Sequence, residues 1–389
     1  MYVYAEHLVW YFSEVKESIG ILTKPLAPPL MSTAPLLGDL SVERPDKICY
    51  EPSAEPDLEA QEYLIYFITG NPGLISYYKP FLSGLHSLLA TCSSTVSARF
   101  HICGHSLKGF EFSKDDENAK LPKHPLSLAE QIDFQEDLLY RHIKSHRERT
   151  GNTPKVILMG HSVGAYILLE LIGNHRDKID EGEEDFDLIG GILLFPTITH
   201  IAKSPLGMVA SKVLNIPYLP VIMGALAKFL SSLLPASLFH KLVKLVTKFP
   251  EYAAQSTTAF IKSPMGVRQA LHLAKDEMAT ITEDKWDTEI WGAATAEGTN
   301  NRDTINSNLT MYWGQKDKWV ADHTRDALIK ARGRKTYGSE IEPWKPVMLR
   351  DEEGMPHDFC TTYLNSNKVA EKVKDWVDEI IQNHKREIS

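Results

Sequence analysis

A chain of 389 residues and 43.8 kDa can bury a large core, so one sizeable α/β domain carrying an insertion is expected rather than two independent domains. A net charge of −9 and a pI near 5.9 argue against general nucleic-acid binding. The four cysteines (Cys49, Cys92, Cys103 and Cys360) show no metal-ligand spacing and no dense disulfide framework, a usage that fits a reducing compartment.

Residues 1–40 stand apart from the rest. Tyr2, Tyr4, Trp10, Tyr11 and Phe12 make the start aromatic, but Glu6, Glu14 and Glu17 interrupt it, and it lacks the basic start and cleavage site of a secretory signal. Residues 1–22 are expected to form an amphipathic segment that docks on the domain surface or touches a membrane. Pro25, Pro28, Pro29 and Pro35 make Thr23–Leu40 a linker, and the domain proper is expected over 41–389. No run anywhere reaches the ~18–20 apolar residues of a membrane span.

Tyr63–Thr69 (YLIYFIT) reads as a buried strand, and Leu74–Leu89 follows in helical register. Between them lies Gly70-Asn71-Pro72-Gly73. A glycine-rich loop at this place in an α/β chain supplies an oxyanion-binding N–H. Pro72 has no N–H to give, which leaves Asn71 as first choice and Gly73 as second. Val96–Cys103 is the next strand. Gly104-His105-Ser106-Leu107-Lys108 has Lys108 where a second glycine would stand and no helical pattern behind it, so it reads as a strand end and loop. Ser127 and Glu130 form a capping box, and Leu128, Ile132, Leu139 and Ile143 share a stripe of the helix behind it.

Lys155–Glu170 (KVILMGHSVGAYILLE) is the stretch around which the chain is organised. Val156–Met159 is an apolar run with the pattern of a strand buried on both faces, and Ala165–Ile172 is helical. Gly160-His161-Ser162-Val163-Gly164 between them matches G-x-S-x-G, which holds a nucleophilic serine on a strained strand-to-helix turn. The turn presents Ser162 Oγ and aims the Val163 N–H at a developing oxyanion. His161 is expected to line the turn rather than catalyse.

Leu188–Phe195 is a further buried strand, and beyond it the composition changes. Leu188–Pro250 contains no Asp or Glu but carries Lys203, Lys212, Lys228, Lys241, Lys244 and Lys248. Val213–Ala227 has no charge at all, and Pro217, Pro220 and Pro235 interrupt the apolar runs. The pattern fits a helical cap inserted over about 200–300, lying in or on a lipid surface through about 206–246, with a positive charge that favours anionic headgroups. The competing expectation is a lid packed apolar side inward. Glu251–Asn308 returns to polar sequence, with a helix near Val267–Met278. Leu309–Trp313 and Val347–Leu349 restore strand character, and Asn367–Asn383 closes the chain as a helix with Val369, Val373, Trp376, Val377, Ile380 and Ile381 on one face.

Strands alternating with helices imply a mostly parallel sheet with helices on both faces. In the α/β-hydrolase order, the acid and then the histidine follow the serine. The strand after the nucleophile's ends at Phe195-Pro196-Thr197, with no acid. The next strand end gives Asp317, with Asp322 less well placed. His357 lies in the loop after the last strand; His323 precedes that strand and His384 ends the terminal helix. The expected mechanism has His357 take the Ser162 proton, Asp317 orient the imidazole, and the Asn71 and Val163 N–H groups hold the oxyanion until water clears the acyl-enzyme. It needs no cofactor and no metal.

The run Tyr66–Gly73, with Tyr77, Tyr78 and Phe81 behind it, resembles the signature of lipid droplet-associated serine hydrolases, and GHSVGAY, Gly314–Val320 and Pro356-His357-Asp358-Phe359 continue the match from about Tyr63 to the C-terminus. The resemblance implies an α/β-hydrolase on lipid droplets and the endoplasmic reticulum, linked to neutral-lipid or sterol-ester turnover. It places the triad on Ser162, Asp317 and His357. A droplet-binding protein with little catalysis and a soluble esterase with a buried cap are the alternatives.

Overall fold

The computed structural model describes residues 42–52, 60–92, 98–110, 122–182, 186–286, 290–291, 308–334 and 345–388. The N-terminal aromatic segment with its linker, and most of the polar stretch Gly292–Asn308, lie outside these residues.

Among the described residues, eight strands form one sheet: β1 (Val42–Glu43), β2 (Lys47–Tyr50), β3 (Gln61–Ile68), β4 (Ala98–His105), β5 (Lys155–His161), β6 (Leu188–Leu194), β7 (Leu309–Trp313) and β8 (Val347–Arg350). Their spatial order is β1-β2-β4-β3-β5-β6-β7-β8. The six strands from β3 onward are parallel, and at one edge β2 runs against them, pairing antiparallel with both β4 and β1. β3, β5, β6 and β7 are buried along almost their whole length, as continuous apolar runs require when both faces are covered.

The helices are α1 (Lys79–Cys92), α2 (Leu128–Thr150), α3 (Val163–Asp180), α4 (Pro205–Leu214), α5 (Leu219–Ser232), α6 (Ala236–Thr247), α7 (Glu251–Lys262), α8 (Gly266–Thr280), α9 (Asp322–Arg332) and α10 (Tyr363–Ile388). Two adjacent glycines of β6 show that both faces are covered. Successive strand residues point to opposite faces. A Cβ on Gly190 would meet Ile380 of α10 at 2.7 Å, and one on Gly191 would meet Leu168 of α3 at 3.3 Å. The capping box forms as expected, with the Ser127 hydroxyl accepting the Glu130 N–H and Glu130 Oε2 accepting the Ser127 N–H at 2.8 Å.

Helices α4–α8 stand between β6 and β7 as the expected insertion. The prolines act where the sequence places them. Pro220 sits in the first turn of α5, Pro235 caps α6, and α4 and α5 meet at a 92° bend. No single described helix is long and apolar enough to cross a membrane. Of the 18 exposed large apolar residues among the described ones, 15 lie between Met208 and Val246, so the apolar side of this arm faces outward, against the expectation of an inward-packed lid. All six lysines of the stretch are exposed with it.

Candidate active site

The turn that carries Ser162 is built by close backbone approach. A Cβ on Gly160 would lie 2.3 Å from the Gly164 carbonyl oxygen, and one on Gly164 would lie 2.4 Å from that of Ile68. Only glycine permits α3 to pack so near β3 and β5. Ser162 itself has φ 56°, a left-handed conformation that a serine holds only where its surroundings enforce it.

Three side chains distant in sequence meet at the carboxyl ends of the strands. The Ser162 hydroxyl donates to His357 Nε2 at 3.0 Å, and His357 Nδ1–H donates to Asp317 Oδ2 at 2.7 Å. The Asp317 side chain is fully buried, and its other oxygen accepts the Trp319 N–H at 2.8 Å. The rival acid, Asp322, begins α9 with its side chain 68% exposed and pairs with Arg325. The end of β6, where the sequence offers no acid, is filled by Phe195. Its ring stacks on Phe359 and stands edge-on to His357.

A second relay lies behind the first. The Tyr78 hydroxyl accepts the Gly70 N–H at 3.1 Å and donates to His161 Nδ1 at 2.7 Å, while His161 Nε2–H donates to the His357 carbonyl at 2.9 Å. These partners fix the His161 tautomer, since a carbonyl accepts only from an N–H. Burial, with the neighbouring His357 adding to it, pushes the His161 imidazole well below its ordinary pKa and keeps it neutral. One side chain thus ties the Gly70 loop, the serine turn and the histidine loop together. The sequence alone gives His161 no more than a lining role, because its partners, Tyr78 and His357, are 83 and 196 positions away.

The Gly70–Gly73 loop is also held from the cap. The Asn71 side-chain amide donates to Glu277 Oε1 at 2.8 Å and to the Ala270 carbonyl at 3.0 Å, both on α8. Asn71 and Pro72 border the cavity at Ser162, whereas Gly73 packs against Leu107. The cavity measures about 240 Å³ and is shared by Ser162, His357, Tyr77, Phe249 and Trp319 among others. Phe249 follows the end of the apolar arm, and at the arm's start the Leu206 N–H donates to the Lys318 carbonyl, beside Asp317.

A family model described as lipid-droplet associated hydrolase matches residues 61–360 of this chain. The chain belongs to that family. Relatives called lipid droplet-associated hydrolase support the assignment: the protein from Pongo abelii is 26% identical over 351 residues, covering 87% of this chain and 88% of its own, and the one from Homo sapiens is 24% identical over 332 residues, covering 82% and 87%. Among solved structures, a peroxisomal alpha-beta-hydrolase from Saccharomyces cerevisiae aligns with a TM-score of 0.53 at 12% identity, over 87% of this chain and 82% of that one. The fold is that of the α/β-hydrolases, and the lipid-droplet associated hydrolase family is where its hydrolytic character is placed.

Proposed function

We propose that the chain is a serine ester hydrolase of the lipase type, acting on neutral lipids or sterol esters through an acyl-enzyme. One observation carries this reading: His357 stands within hydrogen-bond reach of both Ser162 and Asp317. His357 takes the Ser162 proton as Oγ attacks the ester carbonyl. The Asp317 carboxylate holds the imidazole with Nδ1 protonated and stabilises the imidazolium. The oxyanion is met by the Val163 N–H, which opens α3 and has no acceptor within that helix, and by the Asn71 N–H at the cavity's edge. The proton then returns to the leaving alcohol, and water enters through the same base.

The outward apolar arm supports a place of action at a lipid droplet or the cytoplasmic face of the endoplasmic reticulum, with about 206–246 lying in the interface. The exposed lysines suit anionic headgroups around it. A fluorophosphonate probe is expected to label the wild type and not Ser162→Ala, and equal labelling would refute the enzyme reading. Hydrolysis of triacylglycerol, sterol ester and short p-nitrophenyl esters by purified protein then sorts the substrates. The arm also favours a second reading, a droplet-binding protein with little turnover, which unlabelled wild type would support. Replacing Ile222, Phe229 and Leu245 with serine tests the arm by flotation on phospholipid-coated oil droplets. Each apolar side chain is worth roughly 1.5–3 kcal/mol when buried, so a drop in binding of more than about a hundredfold is expected.

A further inference from the structure

The antiparallel edge of the sheet brings together side chains that the serine chemistry does not use. Cys49 of β2 and Cys103 of β4 are direct partners across the ladder. Residues so opposed project to the same face. Both are buried, and both are free thiols. His105, two positions beyond Cys103, shares that face. Helix α2 lies over it: the hydroxyl of Tyr66, which is paired with Cys103, donates to Gln135, and the His142 ring lies 5.9 Å from the Tyr66 ring.

The Cys49 and Cys103 sulfurs and a ring nitrogen of His142 all lie within 4.8 Å of one another. His105 Nε2 meets His142 Nε2 at 2.8 Å. A tetrahedral zinc centre, with Zn–S near 2.3 Å and Zn–N near 2.0 Å, holds its ligand atoms roughly 3.3–3.8 Å apart, so Cys49, Cys103 and His142 stand close to ligand spacing and His105, held on His142, is the side chain that turns in as the fourth. His105 and His142 are only half-buried, which leaves a way in for an ion. The positions 49, 103, 105 and 142 match no linear motif, because strand pairing and one helix crossing assemble them.

A second cluster nearby makes the contrast. Glu62, His101 and His146 are equally close together. There, however, His101 already gives one ring nitrogen to Glu51 at 2.7 Å and the other to Glu62 at 2.5 Å, with Arg149 on Glu51 and Arg99 on Glu62. That cluster is a closed ion-pair network. The cysteine cluster instead holds the soft sulfur and imidazole donors that thiophilic metals select.

We propose that Cys49, Cys103, His142 and His105 bind zinc(II) as a structural centre that pins the β1–β2 edge to β4 and to α2. Binding releases the thiol protons, and the two thiolates leave the centre electrically neutral with the ion. None of the four residues lines the cavity at Ser162, so the centre is independent of the reaction proposed there.

The test uses the full chain, purified under reductant and stripped with a chelator. Cobalt(II) added back is expected to give one equivalent bound, with a sulfur-to-cobalt charge-transfer band. Cys49→Ala and Cys103→Ala should abolish the band, and His142→Gln should weaken cobalt binding by about tenfold or more. Zinc should also shield Cys49 and Cys103 of the wild type from alkylation, read by peptide mass mapping, which stands even where a variant fails to fold. A wild type without the band, a band that survives both cysteine substitutions, or alkylation unaffected by zinc would overturn the proposal, as would a Cys49–Cys103 disulfide in protein isolated without added oxidant.

Discussion

Replacing Asp317 with asparagine changes one atom type, and the surroundings decide its effect. The Trp319 N–H points at one terminal atom of residue 317 from 2.8 Å, so the amide oxygen must face it. That orientation turns the amide NH2 toward His357 Nδ1, 2.7 Å away. Nδ1 must then accept, and the imidazole proton moves to Nε2. An Nε2–H cannot take the Ser162 proton; it donates to Oγ instead. Loss of the correct tautomer in such a relay costs about ten-thousandfold in kcat, which at 1.36 kcal/mol per decade is about 5 kcal/mol of transition-state stabilisation. The assay is hydrolysis of a short p-nitrophenyl ester, with kcat and KM separated and folding checked by circular dichroism. KM should change little, because residue 317 reaches the substrate only through the histidine. Asp322→Asn should leave both constants near wild type, since that carboxylate is exposed and points to Arg325. A folded Asp317→Asn protein retaining more than about a tenth of wild-type kcat would refute the relay.

Glu277→Gln should loosen the Asn71 loop by weakening the hydrogen bond that ties its side chain to the cap, worth roughly 0.5–1.5 kcal/mol, lowering kcat severalfold while fluorophosphonate labelling of Ser162 persists; an unchanged kcat would dissociate the cap from the oxyanion loop. Because His161 is held neutral when folded but protonates near pH 6.5 when unfolded, the unfolded state binds the extra proton, and stability falls as pH drops below about 6.5. Urea unfolding of His161→Asn between about pH 6 and 5 should therefore show a slope shallower than wild type by up to about 1.4 kcal/mol per pH unit, and identical slopes would refute the assignment. Gly164→Ala places a methyl 2.4 Å from the Ile68 carbonyl oxygen, so the soluble fraction on expression should collapse; a well-folded variant with native thermal midpoint would show the turn to be more pliant than its geometry.

What could be read from the sequence was what the chain encodes locally. Ser162 stood out because strand, turn and helix are contiguous, and the order of elements then led to His357, which the structure sets against Ser162, and to Asp317, which it sets against His357. The β2 strand (KICY) escaped because four residues between Pro45 and Pro52 are too few to display a period, and its place depends on pairing with β4. Helix α7 (EYAAQSTTAFIK) escaped because serine and threonine dilute its apolar stripe, although Ala253, Ala254, Thr257 and Phe260 are buried. The terminal helix begins at Tyr363, four residues before its apolar periodicity becomes legible. The Tyr78–His161 contact and the Glu277 hold on Asn71 are long-range polar pairings, on which hydrophobic patterning is silent.

The main-chain bond between Leu206 and Lys318 gives the arm a fixed hinge next to the acid. The arm cannot swing outward at that point without tugging the loop that sets Asp317. On the proposed reading, an oil film that held the arm would therefore also hold the loop that carries the acid. Turnover measured on dissolved esters is expected to understate turnover on a coated droplet, even where the dissolved ester fits the cavity equally well.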